Sequence, residues 1–198
     1  MKPFTPTPTG YLTRISRTEA HLLLRAIDEV VTLLDAPAGR SPLLANLAAD
    51  IDAPQPTDRS LSNLLAPMSR DPGIAQEMRT LTEDDLRDYK TTRLCRIRDT
   101  VVNAVTDGGL VHVSTGEEWV WLGAMTDLRL ALAGTLGATH DSDIAKLTQH
   151  ARELARADDP AALLADTTPN PFVATVFLML GAWQESLLAA MDGESHAH

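Results

Sequence analysis

Residues 119–132 read Trp119-Val120-Trp121-Leu122-Gly123-Ala124-Met125-Thr126-Asp127-Leu128-Arg129-Leu130-Ala131-Leu132. Their large apolar side chains go nearly all the way round a helical wheel, and a helix that is apolar on every side belongs inside a fold. The sequence around them places its ends. Ser114 or Thr115 offers a capping oxygen, with Glu117 and Glu118 three residues after each, and Gly134 and Gly137 supply a stop. The reading is a central helix over 116–133, around which the other elements are arranged.

Those other elements are mostly helices. Ser16 and Glu19 have capping-box spacing, and Leu23, Ile27, Val30, Val31 and Leu34 then recur at steps of three and four, which predicts a helix over 17–35. Pro37 and Gly39 end it, Ser41-Pro42 opens a shorter helix through Ile51, and residues 52–60 read as a loop. Pro67 and Pro72 predict short, interrupted helical turns between Leu61 and Met78. Thr82 then has the setting of an N-cap, with Asp85 three residues on and Leu81 and Leu86 as a hydrophobic staple, for a helix to about Val105 with Leu86, Leu94, Ile97 and Val101 as its core stripe. Residues 143–157 and 160–165 suggest peripheral helix. Asn170-Pro171 opens a last helix through Val176, Leu180, Trp183 and Leu187 to about Met191.

One strand interrupts this pattern. After Asp107-Gly108-Gly109, the run Leu110-Val111-His112-Val113 is β-like, and Tyr11 to Ile15 is its best partner, giving a two-stranded β-ribbon on the helical body. The expectation is therefore a mainly α, single-domain helical bundle over 11–191 around a buried central helix, with a flexible arm at 1–10 and a flexible tail at 192–198. The chain's 198 residues suffice for one such core.

Composition narrows the function classes. A formal charge of −10 repels phosphate backbones, so nucleic acid would be contacted only indirectly or through a local basic face. The start of the chain lacks the apolar run of a signal peptide, and the longest apolar stretch, Phe172 to Trp183, is shorter than the roughly 20 residues a membrane span needs. With a single cysteine, Cys95, these features suggest a cytoplasmic protein that engages no membrane.

Cys95 lies among Lys90, Arg93, Arg96 and Arg98, and nearby cations favour the reactive thiolate, which makes it the candidate redox-reactive residue; the alternative is a small apolar filler beside core Leu94. Arg87, Lys90, Arg93 and Arg96 spiral round their helix, a pattern that suits a solvated surface better than a DNA-binding face. His21, His112, His140 and His150 are scattered over different elements, with no HExxH, so no metal site is expected. GxSxG, GxxxxGK[ST] and GxGxxG are absent too, and neither a catalytic residue nor a cofactor is expected. Asp127 and Arg129 interrupt the most apolar helix. Charges there must be paired or face an edge, so the two are candidates for a buried polar network, with a polar enzymatic pocket as the alternative.

Several short motifs carry a resemblance: Glu19-Ala20-x-Leu22-Leu23; Asp71-Pro72 with Glu77-x-Arg79-x-Leu81-Thr82-x-x-Asp85-Leu86-x-x-x-Lys90; Asp127 to Leu132 with Leu136-Gly137; and Trp183-Gln184-Glu185-Ser186-Leu187. In this order, over most of residues 11–190, the chain resembles the actinobacterial AosR-like family, long catalogued only as a domain of unknown function. The resemblance implies a non-enzymatic regulator linked to oxidative stress and cysteine metabolism, acting on transcription through a protein partner. An internal disulfide needs two cysteines, so redox sensing in this chain would run through an intermolecular or mixed disulfide. Thr135 stands where relatives are expected to carry arginine. A protein partner is the leading expectation, a homodimer is compatible with it, and direct DNA binding is the alternative.

Overall fold

The computed structural model describes residues 2–35, 58–137 and 171–195, with isolated positions between 142 and 149. The expected helix at 41–51, most of the 52–60 loop and nearly all of the two peripheral helices lie outside the described residues. The elements in order are β1 (Thr5–Thr7), β2 (Gly10–Arg14), α1 (Arg17–Asp35), α2 (Arg59–Leu64), α3 (Pro72–Thr106), β3 (Leu110–Ser114), α4 (Glu118–Thr135) and α5 (Pro171–Ser195). The fold is mainly α.

The sheet has three antiparallel strands in the order β1-β2-β3, where the sequence suggested two. The expected pairing is present, with Tyr11 opposite Val113 and Thr13 opposite Val111. The third strand comes from the segment expected to be a flexible arm: Thr5 pairs with Leu12 and Thr7 with Gly10. Two causes account for this. β1 is an edge strand, where the missing N–H of a proline such as Pro6 costs little. Phe4 is also buried, its ring 6.5 Å from that of Trp121 and 5.4 Å from that of Trp183. The hairpin closes at Gly10, which has φ +134°; a Cβ there would lie 2.0 Å from the Val113 carbonyl oxygen.

Helix α1 spans the residues its periodicity predicted, and its capping box is formed: the Ser16 N–H donates to Glu19 Oε2 at 2.8 Å, and the Glu19 N–H donates to Ser16 Oγ at 3.2 Å. Helix α3 differs from expectation. It is one element of 35 residues, about 52 Å long, starting at Pro72 rather than at Thr82. Asp71 is its cap, Oδ1 accepting the N–H groups of Gly73 and Ile74 at 2.9 and 3.0 Å, and Pro72 is a helix opener rather than a breaker. The Thr82 hydroxyl instead donates to the Met78 carbonyl at 2.9 Å, the i−4 bond of a threonine inside a helix.

Helix α4 is central, packing against α2, α3 and α5. It begins two residues later than expected, and neither Ser114 nor Thr115 caps it; Glu118 folds back instead to accept the Gly116 N–H. Its core face, with Trp121, Met125, Leu128 and Leu132, meets Leu180, Trp183 and Leu187 of α5. Helix α5 continues through 192–195, part of the expected flexible tail. Over Val173–Gly193 it is long and apolar enough to cross a membrane by length and composition, because Gln184-Glu185-Ser186 interrupt it for less than one turn. In this fold that apolarity fills the core with Val173, Val176, Leu180, Trp183 and Leu187.

Candidate functional site

The inner stripe of α3 runs Glu83, Arg87, Lys90, Leu94, Ile97, Val101, Ala104, alternating steps of four and three, and all seven are buried. Its second half is apolar and its first half charged. A solvated face was the sequence expectation for Arg87 and Lys90, and the structure corrects it: each is only 8% exposed. Charges at such depth must be paired.

The pairing falls into two clusters. In the first, Arg87 Nε and Nη2 donate to Glu83 Oε1 at 2.9 and 2.8 Å, and Arg87 Nη1 donates to the Leu34 carbonyl at 2.6 Å, tying α3 to the end of α1. Arg79 Nε lies 3.5 Å from Glu83 Oε2, an ion-pair distance without hydrogen-bond geometry. In the second, Asp127 of α4, 1% exposed, receives two cations. Lys90 Nζ donates to Oδ1 at 2.5 Å, Arg93 Nε donates to Oδ2 at 2.7 Å, and Arg93 Nη2 also donates to Oδ2. Arg93 reaches Asp127 across Gly123, where a Cβ would lie 2.4 Å from Arg93 Nη1. The guanidinium is further held 5.1 Å from the centre of the Tyr89 ring.

Asp127 and Arg129, expected in one buried network, are not brought together. Two residues apart, they leave α4 in roughly opposite directions. Arg129 turns to α5, donating to Gln184 Oε1 at 2.9 Å and lying 5.0 Å over the Phe177 ring, while Gln184 Nε2 donates to Thr126 Oγ1 at 2.9 Å. The central helix is thus bolted to α3 by Asp127 and to α5 by Arg129. One described cavity, about 20 Å³, is lined by Leu65, Met68, Arg79, Thr82 and Glu83 among others, and an open hollow lies along His21, Arg25 and Glu29 of α1. Neither touches Asp127 or Arg129.

Cys95 is half-buried on α3. The four cations read as its neighbours are all turned to carboxylates: Lys90 and Arg93 to Asp127, Arg96 to Glu117, and Arg98 Nε to Asp28 at 2.7 Å. Among the described residues no group of three or more His, Cys, Asp or Glu side chains could hold a metal ion.

Several of the motif residues take part in these ion pairs and helix ties. Arg79 and Lys90 belong to the two clusters, Asp127 and Arg129 anchor α4, and Gln184 receives Arg129. Over residues 1–191 the chain matches the family described as a domain of unknown function, DUF2017. It belongs to that family. No curated protein and no solved structure matches the chain. Sequence reasoning missed the Glu83–Arg87 clamp and the double pairing of Asp127. The signal was present in the four-three spacing from Glu83 to Ala104, which was masked by reading charged residues as surface.

Proposed function

We propose that this DUF2017 chain is a non-enzymatic regulatory protein that acts by binding a protein partner, an AosR-like regulator linked to oxidative stress and cysteine metabolism and working in the cytoplasm. The observation that carries this reading is where its chemistry is spent. Lys90, Asp127 and Arg129 of its motifs are taken up in tying one helix to another, while large apolar side chains are left on the surface, with Met68 55% and Leu81 70% exposed. Binding surfaces look like this: Trp, Tyr, Met and Arg are enriched at protein interfaces, and exposed apolar patches mark them. Direct DNA binding draws less support, because Arg87, Lys90 and Arg93 already hold carboxylates or carbonyls of the fold.

The test is affinity capture of the full chain from its native cell, with and without peroxide, beside a Cys95→Ser variant. The expected result is a specific partner at stoichiometric yield; recovery of nothing but the protein itself overturns the reading. If the redox link runs through Cys95, the variant abolishes the response to peroxide. An unchanged response removes Cys95 from the mechanism.

A further inference from the structure

Helix α3 begins ten residues before the cap that the sequence suggested, and those first turns carry an apolar ridge that no described element covers. Ile74, Met78 and Leu81, at steps of four and three, share one face and are 54%, 36% and 70% exposed. Met68, 55% exposed, lies beside them, its sulfur 3.9 Å from Thr82 Oγ1.

The charges around this ridge are mostly acidic. Among residues 73–88, Glu77, Asp85 and Asp88 are exposed while no cation is, and the exposed cation Arg70 lies before the helix, between Met68 and Ile74. Arg79 and Arg87, the two cations in that span, are turned inward to Glu83. The helix macrodipole does not require this, since Asp85 and Asp88 lie well beyond the first turn, where its influence ends. We propose that this face is the docking surface for a partner protein that presents an amphipathic helix whose apolar stripe is flanked by cations; the inference rests on the regulatory reading above and gives it a location. Side chains at i, i+4 and i+7 form the ridge that one helix packs against another. The acidic rim repels a second copy of the same face and repels nucleic acid, and it steers a cationic partner inward. The ridge is also preorganised, its helix held by the Asp71 cap and the Glu83–Arg87 clamp, so little ordering is needed on binding. Two methionines, Met78 in the ridge and Met68 beside it, allow it to adapt to the partner's side chains.

The experiment uses the full chain and two fluorescent helical peptides of about 18 residues, five turns, with leucine along one face and either lysine or glutamate beside it. Anisotropy gives affinity, and hydroxyl-radical footprinting reads the side chains of Met68, Met78 and Leu81. The lysine peptide is expected to bind and to protect those side chains, to bind about tenfold more weakly to an Ile74→Ser/Leu81→Ser variant, and to bind Trp119→Ala as it binds the wild type. The glutamate peptide is expected not to bind. The proposal is overturned if the lysine peptide does not bind below about 1 mM, if the double variant binds it unchanged, if protection falls elsewhere, or if both peptides bind alike. It is also overturned if the ridge is already protected in the free protein by another part of the chain, or if sedimentation shows a dimer that the double variant dissociates. A native partner retained by the double variant sinks the ridge and leaves the regulatory reading standing; no native partner with either protein sinks both.

Discussion

Replacing Asp127 by alanine tests the central claim about how the helices are held together. The carboxylate is 1% exposed and is shared by Lys90 and Arg93, whose side chains are 10% and 15% exposed. Removing one partner of a buried pair costs about 3–5 kcal/mol, mostly because the other charge is left buried without compensation. Here two cations are left, and they also repel each other. Against this, their long stems can carry the charge toward water. The expected loss for Asp127→Ala is about 4 kcal/mol, a large share of the 5–15 kcal/mol that holds a typical domain together. With a urea slope of about 2 kcal/mol/M, the unfolding midpoint falls by about 2 M. A second variant separates charge from packing: in Lys90→Met/Arg93→Leu/Asp127→Leu no ion remains to be compensated, and most of the stability returns. Urea denaturation followed by circular dichroism checks both. An Asp127→Ala protein within about 1 kcal/mol of the wild type, or a triple variant no more stable than the single one, would refute the argument that this cluster is a tightly coupled tie.

Three further perturbations address single features. Gly123→Ala puts a methyl group where Arg93 crosses α4, and should cost about 1–3 kcal/mol on its own but little once Arg93→Ala has removed the crossing side chain, a non-additivity that thermal unfolding of the cycle reads directly. Phe4→Ala should cost about 3–5 kcal/mol and lower the melting temperature, because the ring is 5% exposed between Trp121 and Trp183; an unchanged melt would mean that the β1 segment contributes nothing to the core. Asp71→Ala should lose about 1 kcal/mol and Thr82→Ala less than about 0.5 kcal/mol, since only Asp71 caps α3; the reverse order in chemical denaturation would restore the helix start to Thr82.

What the sequence conveyed and what it concealed divide along physical lines. Periodicity and caps gave α1 to the residue, the β2–β3 pairing and a buried α4, because in each case one local signal, such as the Ser16–Glu19 box or the Asp107-Gly108-Gly109 break, has one structural meaning. Local signals misled where two meanings compete. Pro72 ends a helix or opens one, and only the Asp71 oxygen in front of it decides. The proline-rich arm resembles a free tail until Phe4 finds two tryptophans more than a hundred residues away, a contact no window of sequence contains. The charged half of the α3 stripe is the deeper case. Glu83, Arg87 and Lys90 fall in the same four-three register as Leu94, Ile97 and Val101, so position alone marks them as inward. Residue type argued the opposite, since isolated charges do not enter cores. The register wins because each charge meets a partner: Glu83 and Arg87 lie one turn apart on α3, and Asp127 waits for Lys90 on α4. Asp127 in turn is affordable inside the most apolar helix only because those cations face it. Neither helix could carry its charges alone, and for that reason the network was legible as two anomalies in the sequence and as one structure only in three dimensions.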